Sequence, residues 1–142
     1  MPQQVGDKFV NISKVAVVMG SGETIIKHDG KVMLIDFWAT WCPPCQKPMA
    51  HNQEMLVKNE GKWANVRIIG LSIDDDAPTV KAHVESKEWT KPEHYQVGNS
   101  GASDSWGISG VPHCALVNKA GKIVWRGHPA SVDLEAEINK LL

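Results

Sequence analysis

The chain is poor in cysteine, with 3 in 142 residues, and the number is odd. A secreted scaffold held by disulfides carries more of them, spread along the chain, so that class is excluded. An excess of one charge is also missing: Lys plus Arg number 15 and Asp plus Glu 16, a formal net charge of -1. Nucleic acids and anionic membranes both favour a basic excess, and neither is expected as a partner. No stretch approaches the roughly 20 apolar residues that a membrane helix needs. The first residues, Met1-Pro2-Gln3-Gln4-Val5-Gly6-Asp7-Lys8, lack a basic segment followed by an apolar run and do not read as a secretory signal. A cytoplasmic setting is therefore expected. There is no internal repeat, low-complexity tract or linker, and the length fits a single domain over residues 1–142.

What is present is an alternation of buried strands and helices. Val32-Met33-Leu34-Ile35-Asp36-Phe37-Trp38 is apolar without alternation, as expected of a strand covered on both faces. Before it, residues 9–31 mix β-branched residues with Gly20-Ser21-Gly22 and Asp29-Gly30, and read as an N-terminal β-hairpin or two short strands. Residues 43–59 have helical character, with Met49, Met55 and Leu56 as apolar positions and Gly61 as a stop. Pro48 removes a backbone donor inside this helix and is expected to kink it. Residues 66–73 form a second buried strand. Asp74-Asp75-Asp76 offers an N-cap to a helix over 77–89, with Val80 and Val84 one turn apart. Residues 99–104 read as loop. Residues 114–118 and 122–126 flank Lys119-Ala120-Gly121 as an antiparallel hairpin. Ser131 can cap a last helix with apolar positions Leu134, Ile138, Leu141 and Leu142. Strands joined through helices run parallel, so the expected class is α/β, a central mixed β-sheet flanked by helices on both faces.

Cys42-Pro43-Pro44-Cys45 lies between the first buried strand and the first helix. Thiol–disulfide exchange needs a thiol that deprotonates near neutral pH, because only the thiolate attacks. It also needs a second thiol in bonding reach to resolve the mixed disulfide. A Cys-x-x-Cys at a helix start supplies both: the first sulfur faces the unpaired N–H groups and positive end of the helix, and the second lies about one turn inside. The strand-then-helix context is what the redox reading requires. Pro43 and Pro44 fit early helix positions, where a missing N–H costs little. Half of a zinc site is the competing reading. It needs two further ligands, with Cys114 and His51 or His113 as candidates. The sequence has no second Cys-x-x-Cys and no His-x3-5-His, so no metal is expected. His28, His51, His83, His94 and His128 show no ligand-like spacing, and Trp63, Trp89, Trp106 and Trp125 read as core or rim residues.

The segment Ile35-Asp36-Phe37-Trp38-Ala39-Thr40-Trp41-Cys42-Pro43-Pro44-Cys45 resembles the active-site segment of the thioredoxin superfamily. Gly107-Ile108-Ser109-Gly110-Val111-Pro112 is similar to that family's loop carrying a cis-proline. Residues 115–124 resemble its final hairpin, so the likeness runs over roughly residues 5–142. Residues 74–99 are longer than a minimal thioredoxin has at that place. This βα insertion, with the Cys-Pro-Pro-Cys motif, suggests the extended branch of TlpA-like, nucleoredoxin-like and tryparedoxin-like proteins. The exported members of that branch often carry a glutamate three residues past the second cysteine, where this chain has Pro48. No role is carried over for it.

The resemblance implies a thiol–disulfide oxidoreductase with a redox disulfide between Cys42 and Cys45, and no cofactor. A carboxylate in the strand, Asp36, faces either a polar side or the interior. Burial would raise its pKa and let it take the proton of Cys45, and the resemblance favours that second reading. Trp41 is implied as an apolar rim for partner proteins, with Trp38 packed beneath. Val111 and Pro112 are implied as the docking edge, where the Val111 backbone pairs with an extended substrate like an added strand. The role of His113 is open between tuning the cysteines and pointing away, and Cys114 reads as core before it reads as a third redox thiol. The peroxiredoxin motif places proline seven residues, and threonine or serine three residues, before the reactive cysteine. Ile35 and Ala39 stand there instead. The expected activity is protein-disulfide reduction by a monomer acting on disulfide-containing proteins, fed by an upstream reductase or low-molecular-weight thiol. A thioredoxin-like adaptor, or a thiol oxidant or isomerase, is the alternative.

Overall fold

The computed structural model describes residues 2–19 and 24–142. Gly20-Ser21-Gly22, expected within the N-terminal hairpin, lies outside the described residues. Three two-residue strands open the chain: β1 (Ile12–Ser13), β2 (Ala16–Val17) and β3 (Ile25–Ile26). β1 pairs antiparallel with β3 as a small separate sheet. The main strands follow as β4 (Val32–Trp38), β5 (Val66–Ser72), β6 (Glu93–Gln96), β7 (His113–Val117) and β8 (Ile123–Gly127). The helices are α1 (Pro43–Lys58), α2 (Ala77–Lys87), α3 (Ala102–Ser105) and α4 (Leu134–Lys140).

One six-stranded sheet has the order β2-β6-β5-β4-β7-β8. The pairs β4–β5 and β5–β6 are parallel, while β2–β6, β4–β7 and β7–β8 are antiparallel. β4 is therefore central, and all seven of its residues are buried, as its unbroken apolar run requires. Its alternate residues face opposite layers. Met33, Ile35 and Phe37 pack with Ile69, Leu71, Phe9 and Trp106, beneath the N-terminal segment and α3. Val32 and Leu34 pack with Met55, Trp63, Ile68, Leu116, Leu134 and Ile138, beneath α1 and α4. Trp38 continues this second face into a third cluster with Cys42, Cys45, Met49, Val80, Val84 and Trp89, which docks α2 beside α1. Full burial of Val80 or Val84 is worth about 1.5–3 kcal/mol each.

Several local expectations shift. β6 was not expected: Glu93-His94-Tyr95-Gln96 has no apolar run, yet it pairs along β5 at Ile69↔Glu93 through Ser72↔Gln96. Residues 99–104, expected as loop, contain the start of the one-turn α3. The last helix is capped by Asp133, whose side chain accepts from Ala136 N at 3.1 Å, because Ser131 is spent closing the 3-10 turn Pro129–Ser131. Leu142 is exposed rather than packed. α2 ends at Lys87, where Glu88 turns left-handed with φ 59°. α1 runs through Pro48 as one helix and ends before Gly61, at Asn59, whose N–H and side chain both bond Met55 O.

Candidate active site

β4 ends at Trp38, and Ala39 to Trp41 carry the chain across the sheet end to α1. Cys42 is the N-cap of α1 in extended conformation (φ -97°, ψ 105°), with proline at the two positions that follow. Proline pre-sets the helical φ there and gives up only N–H groups that a helix leaves unpaired. Cys42 and Cys45 form a disulfide with Cα atoms 5.3 Å apart. The pair is asymmetric in access: Cys42 is 4% exposed and Cys45 0%. Trp41, beside them, is 66% exposed, the most exposed large apolar side chain among the described residues.

The approach to Cys42 is held from three sides. Asp74 receives the Thr40 N–H at 2.9 Å and the Thr40 hydroxyl at 2.6 Å. Gln46 donates from Nε2 to Cys42 O at 2.9 Å, and its Oε1 lies 2.7 Å from His83 Nε2 on α2. His83 in turn packs on Trp38 and Trp89, and burial followed by the charge of Lys87 holds its pKa below the ordinary value. From the third side, Val111 O lies 3.7 Å from Cys42 Sγ, and the Val111–Pro112 peptide is cis. The oxidised sulfur carries no proton, so this is a contact; in the dithiol the Cys42 S–H can donate to that carbonyl.

Asp36 lies inside, 0% exposed, on the face of β4 that α1 covers. Asn52 Nδ2, on α1, donates to its Oδ2 at 2.8 Å. Burial pushes the carboxyl from an ordinary 3.8 up to about 7, against smaller lowering influences of Asn52 and the Cys114 thiol. Of the two readings open for Asp36, the structure has the interior one. The carboxyl bonds neither cysteine sulfur directly. Cys45, Met49 and Asn52 share the buried side of α1, so the acid and the inner sulfur face one interior space. Cys114 stands opposite Asp36 in the β4–β7 ladder, wholly buried. Burial, and then the neighbouring carboxyl, push its thiol well above the ordinary range. His113 turns to β8, where Arg126 Nε donates to its Nε2 at 3.0 Å, and burial, then Arg126 and His128, lower its pKa.

The sites read from the sequence thus gather at one sheet end: Trp41 exposed, Val111 half-buried, Cys42, Cys45 and Pro112 buried beside them, and Asp36 behind. Asn52, Gln46 and Asp74 were missed. The run Asp74-Asp75-Asp76 does supply the cap of α2, through Asp76, which accepts from Thr79 N at 2.8 Å, while Asp74 holds Thr40 instead. The helical spacing of Cys45 and Asn52 was the signal available for Asn52. Among the described residues, no group of three His, Cys, Asp or Glu side chains could hold a metal ion, and no helix is long and apolar enough to cross a membrane.

Known proteins are similar to this chain. The thiol-disulfide oxidoreductase ResA of Bacillus thuringiensis subsp. konkukian is 30% identical over 114 residues, covering 79% of this chain and 64% of ResA. The thiol:disulfide interchange protein HelX of Rhodobacter capsulatus is 31% identical over 101 residues, covering 70% of this chain and 53% of HelX. The chain thus matches less than two thirds of the length of these relatives. Among solved structures, the thioredoxin domain of a thiol-disulfide oxidoreductase from Bacteroides vulgatus superposes with a TM-score of 0.78 at 23% identity, covering 96% of each chain. A peroxiredoxin-like protein from Aquifex aeolicus superposes at 0.80 with 15% identity, covering 100% of this chain and 90% of its own. These likenesses show a thioredoxin-like α/β fold, its mixed sheet flanked by helices. The family model described as Redoxin matches residues 4–142, and the chain belongs to the Redoxin family.

Proposed function

We propose that this chain is a thiol–disulfide oxidoreductase that reduces protein disulfides, working as one domain and as a monomer. The observation that carries the reading is the Cys42–Cys45 disulfide at the N-terminus of α1, with the outer sulfur against the Val111 carbonyl and the inner one enclosed. The relatives named for thiol–disulfide exchange support the same chemistry.

In the proposed cycle the Cys42 thiolate attacks a substrate disulfide, bonds one of its sulfurs and releases the other as thiolate. The substrate lies along Val111 and Pro112, with Trp41 as the apolar rim. Cys45 then gives its proton toward Asp36 and attacks Cys42 Sγ. The protein disulfide re-forms, and the second substrate sulfur leaves as thiolate. Two electrons have passed to the substrate, and an upstream reductase or low-molecular-weight thiol restores the dithiol. The insertion that carries α2 and β6 supports the extended TlpA-like, nucleoredoxin-like and tryparedoxin-like branch. Thiols are kept reduced in the cytosol, so the proposal includes a cytoplasmic setting.

The test is turnover of a disulfide substrate such as insulin by the reduced protein. Wild type should release thiols, and Cys42→Ser should not; equal rates would remove Cys42 as nucleophile. Titration of the Cys42/Cys45 couple against glutathione fixes the direction. Dithiol proteins span about −270 to −120 mV, and a value at the upper end would make the chain an oxidant instead.

A further inference from the structure

A row of residues crosses four strands on the face that α1 covers: Cys114 on β7, Asp36 on β4, Gly70 on β5 and His94 on β6. Gly70 is the one position in that row without a side chain. No side chain of β5 therefore stands between Asp36 and His94, whose strands are second neighbours, about 9–10 Å apart. A Cβ built on Gly70 would lie 3.3 Å from His94 Nδ1, 3.3 Å from Trp38 Nε1 and 3.1 Å from Met49 Cε.

Three buried side-chain polar atoms lack a hydrogen bond of good geometry among the described residues: Asp36 Oδ1, Trp38 Nε1 and His94 Nδ1. Two of them, Trp38 Nε1 and His94 Nδ1, lie 3.3 Å from the Gly70 Cβ position, and the third belongs to Asp36, which pairs with Gly70 across the β4–β5 ladder. Their residues are 0%, 1% and 2% exposed. A buried polar atom left unpaired costs about 1–3 kcal/mol, so three in one place is a demand for a ligand.

Their chemistry names it. His94 Nε2 lies 2.7 Å from Trp89 O, a pure acceptor, so Nε2 carries the proton and Nδ1 is bare. Burial lowers the His94 pKa, which keeps the ring neutral. The space then presents one donor, the Trp38 indole N–H, and two acceptors, His94 Nδ1 and Asp36 Oδ1. Water has the complementary set of one lone pair for the indole and two protons for the acceptors, and three bonds is the usual number for a buried water.

We propose that Asp36, Trp38 and His94 bind one water over Gly70, and that this water donates to the Asp36 carboxylate and so favours its ionised form. His94 and Trp38 are then positioning residues that act on Asp36 through the water. The proposal rests on reading Asp36 as the acid behind the cysteines. The titratable group paired with that carboxyl is Cys114 on β7; His94 stands two strands away on β6, and Cys45 lies on the buried side of α1 above. Cys114 stays protonated beside it, and its thiol also favours the charged carboxyl; the water adds a donor to Oδ1.

Gly70→Ala tests this, because the added methyl would sit 3.1–3.3 Å from Met49 Cε, His94 Nδ1 and Trp38 Nε1 and crowd out the water. The Asp36 carboxyl is followed by carbon NMR against pH in the reduced protein, without any turnover. In Gly70→Ala, Asp36 should titrate higher than in wild type by about one pH unit. His94→Leu should move it the same way. An unchanged titration in folded Gly70→Ala overturns the proposal. A high-resolution crystal structure of wild type gives the second reading, independent of any variant. A water within hydrogen-bond distance of Asp36 Oδ1, Trp38 Nε1 and His94 Nδ1 supports it, and a dry space overturns it. If both readings hold while Asp36→Asn turns over normally, the water site stands and only the catalytic role of Asp36 falls.

Discussion

Asn52 reaches from α1 to Asp36 in the middle of β4, Nδ2 to Oδ2 at 2.8 Å, and joins the helix that carries the cysteines to the only acid inside the sheet's core strand. A hydrogen bond to a carboxylate favours its charged form. Asn52→Leu should therefore lift the Asp36 pKa above about 7, and carbon NMR titration of the carboxyl checks it.

The raised pKa has a stability cost with a fixed sign. Asp36 ionises near 3.8 in an unfolded chain and near 7 here, so the native state holds a proton that the unfolded state has lost. Its contribution is full below pH 4, falls as pH rises through about 7, and is level above. About three pH units correspond to roughly 4 kcal/mol. Asp36→Asn should stabilise the protein by up to that order at pH 8 and change little at pH 4. Urea unfolding at the two pH values measures the difference.

The same substitution should harm exchange. In wild type, the resolving attack of Cys45 on a preformed Cys42 mixed disulfide should quicken as pH passes about 7, where Asp36 becomes the base. In Asp36→Asn that rise should vanish, with resolution slowed at pH 7.5 by at least about tenfold, toward the 10²–10⁴ typical of general bases. Stopped-flow decay of a mixed disulfide with a chromophoric thiol reads it. Equal rates across pH 6 to 8 would take Asp36 out of the cycle.

Cys45→Ser keeps the outer thiol and removes the resolving one. It should accumulate covalent complexes on Cys42, which mass spectrometry names. Adding Trp41→Ala should lower their yield while leaving stability within about 0.5 kcal/mol, because an exposed side chain contributes little to folding. Undiminished capture would show that the rim does not bind partners.

The strands and helices that frame the site were legible where burial is written in apolar letters. β4 and β5 are near-unbroken apolar runs, and the Cys-x-x-Cys lies where a strand passes into a helix. β6 was not legible, because its burial is polar. Its His94 pays its hydrogen bond to Trp89 O, and Gln96 to Asp74 O, contacts that only the folded chain brings together. The capping role of Ser131 failed for a local reason: a 3-10 turn took its residues and passed the cap to Asp133. The interior place of Asp36 was open on composition alone and became definite only with Asn52 and α1 above it.

The paired prolines after Cys42 bear on which way electrons run. An N-cap side chain is normally met by the N–H of the second or third helical residue. Here the second is Pro44, which has none, and the cap sulfur accepts no such bond. A thiolate at Cys42 is thus less well solvated by amides than the same sulfur ahead of two ordinary residues. Strong oxidants owe their pull to a well-stabilised reduced form. If Pro44 thins that stabilisation, it should bias the couple toward surrendering its electrons. Pro44→Ala returns one donor, and should make Cys42 more acidic and the couple more oxidising, read by alkylation against pH and by redox titration.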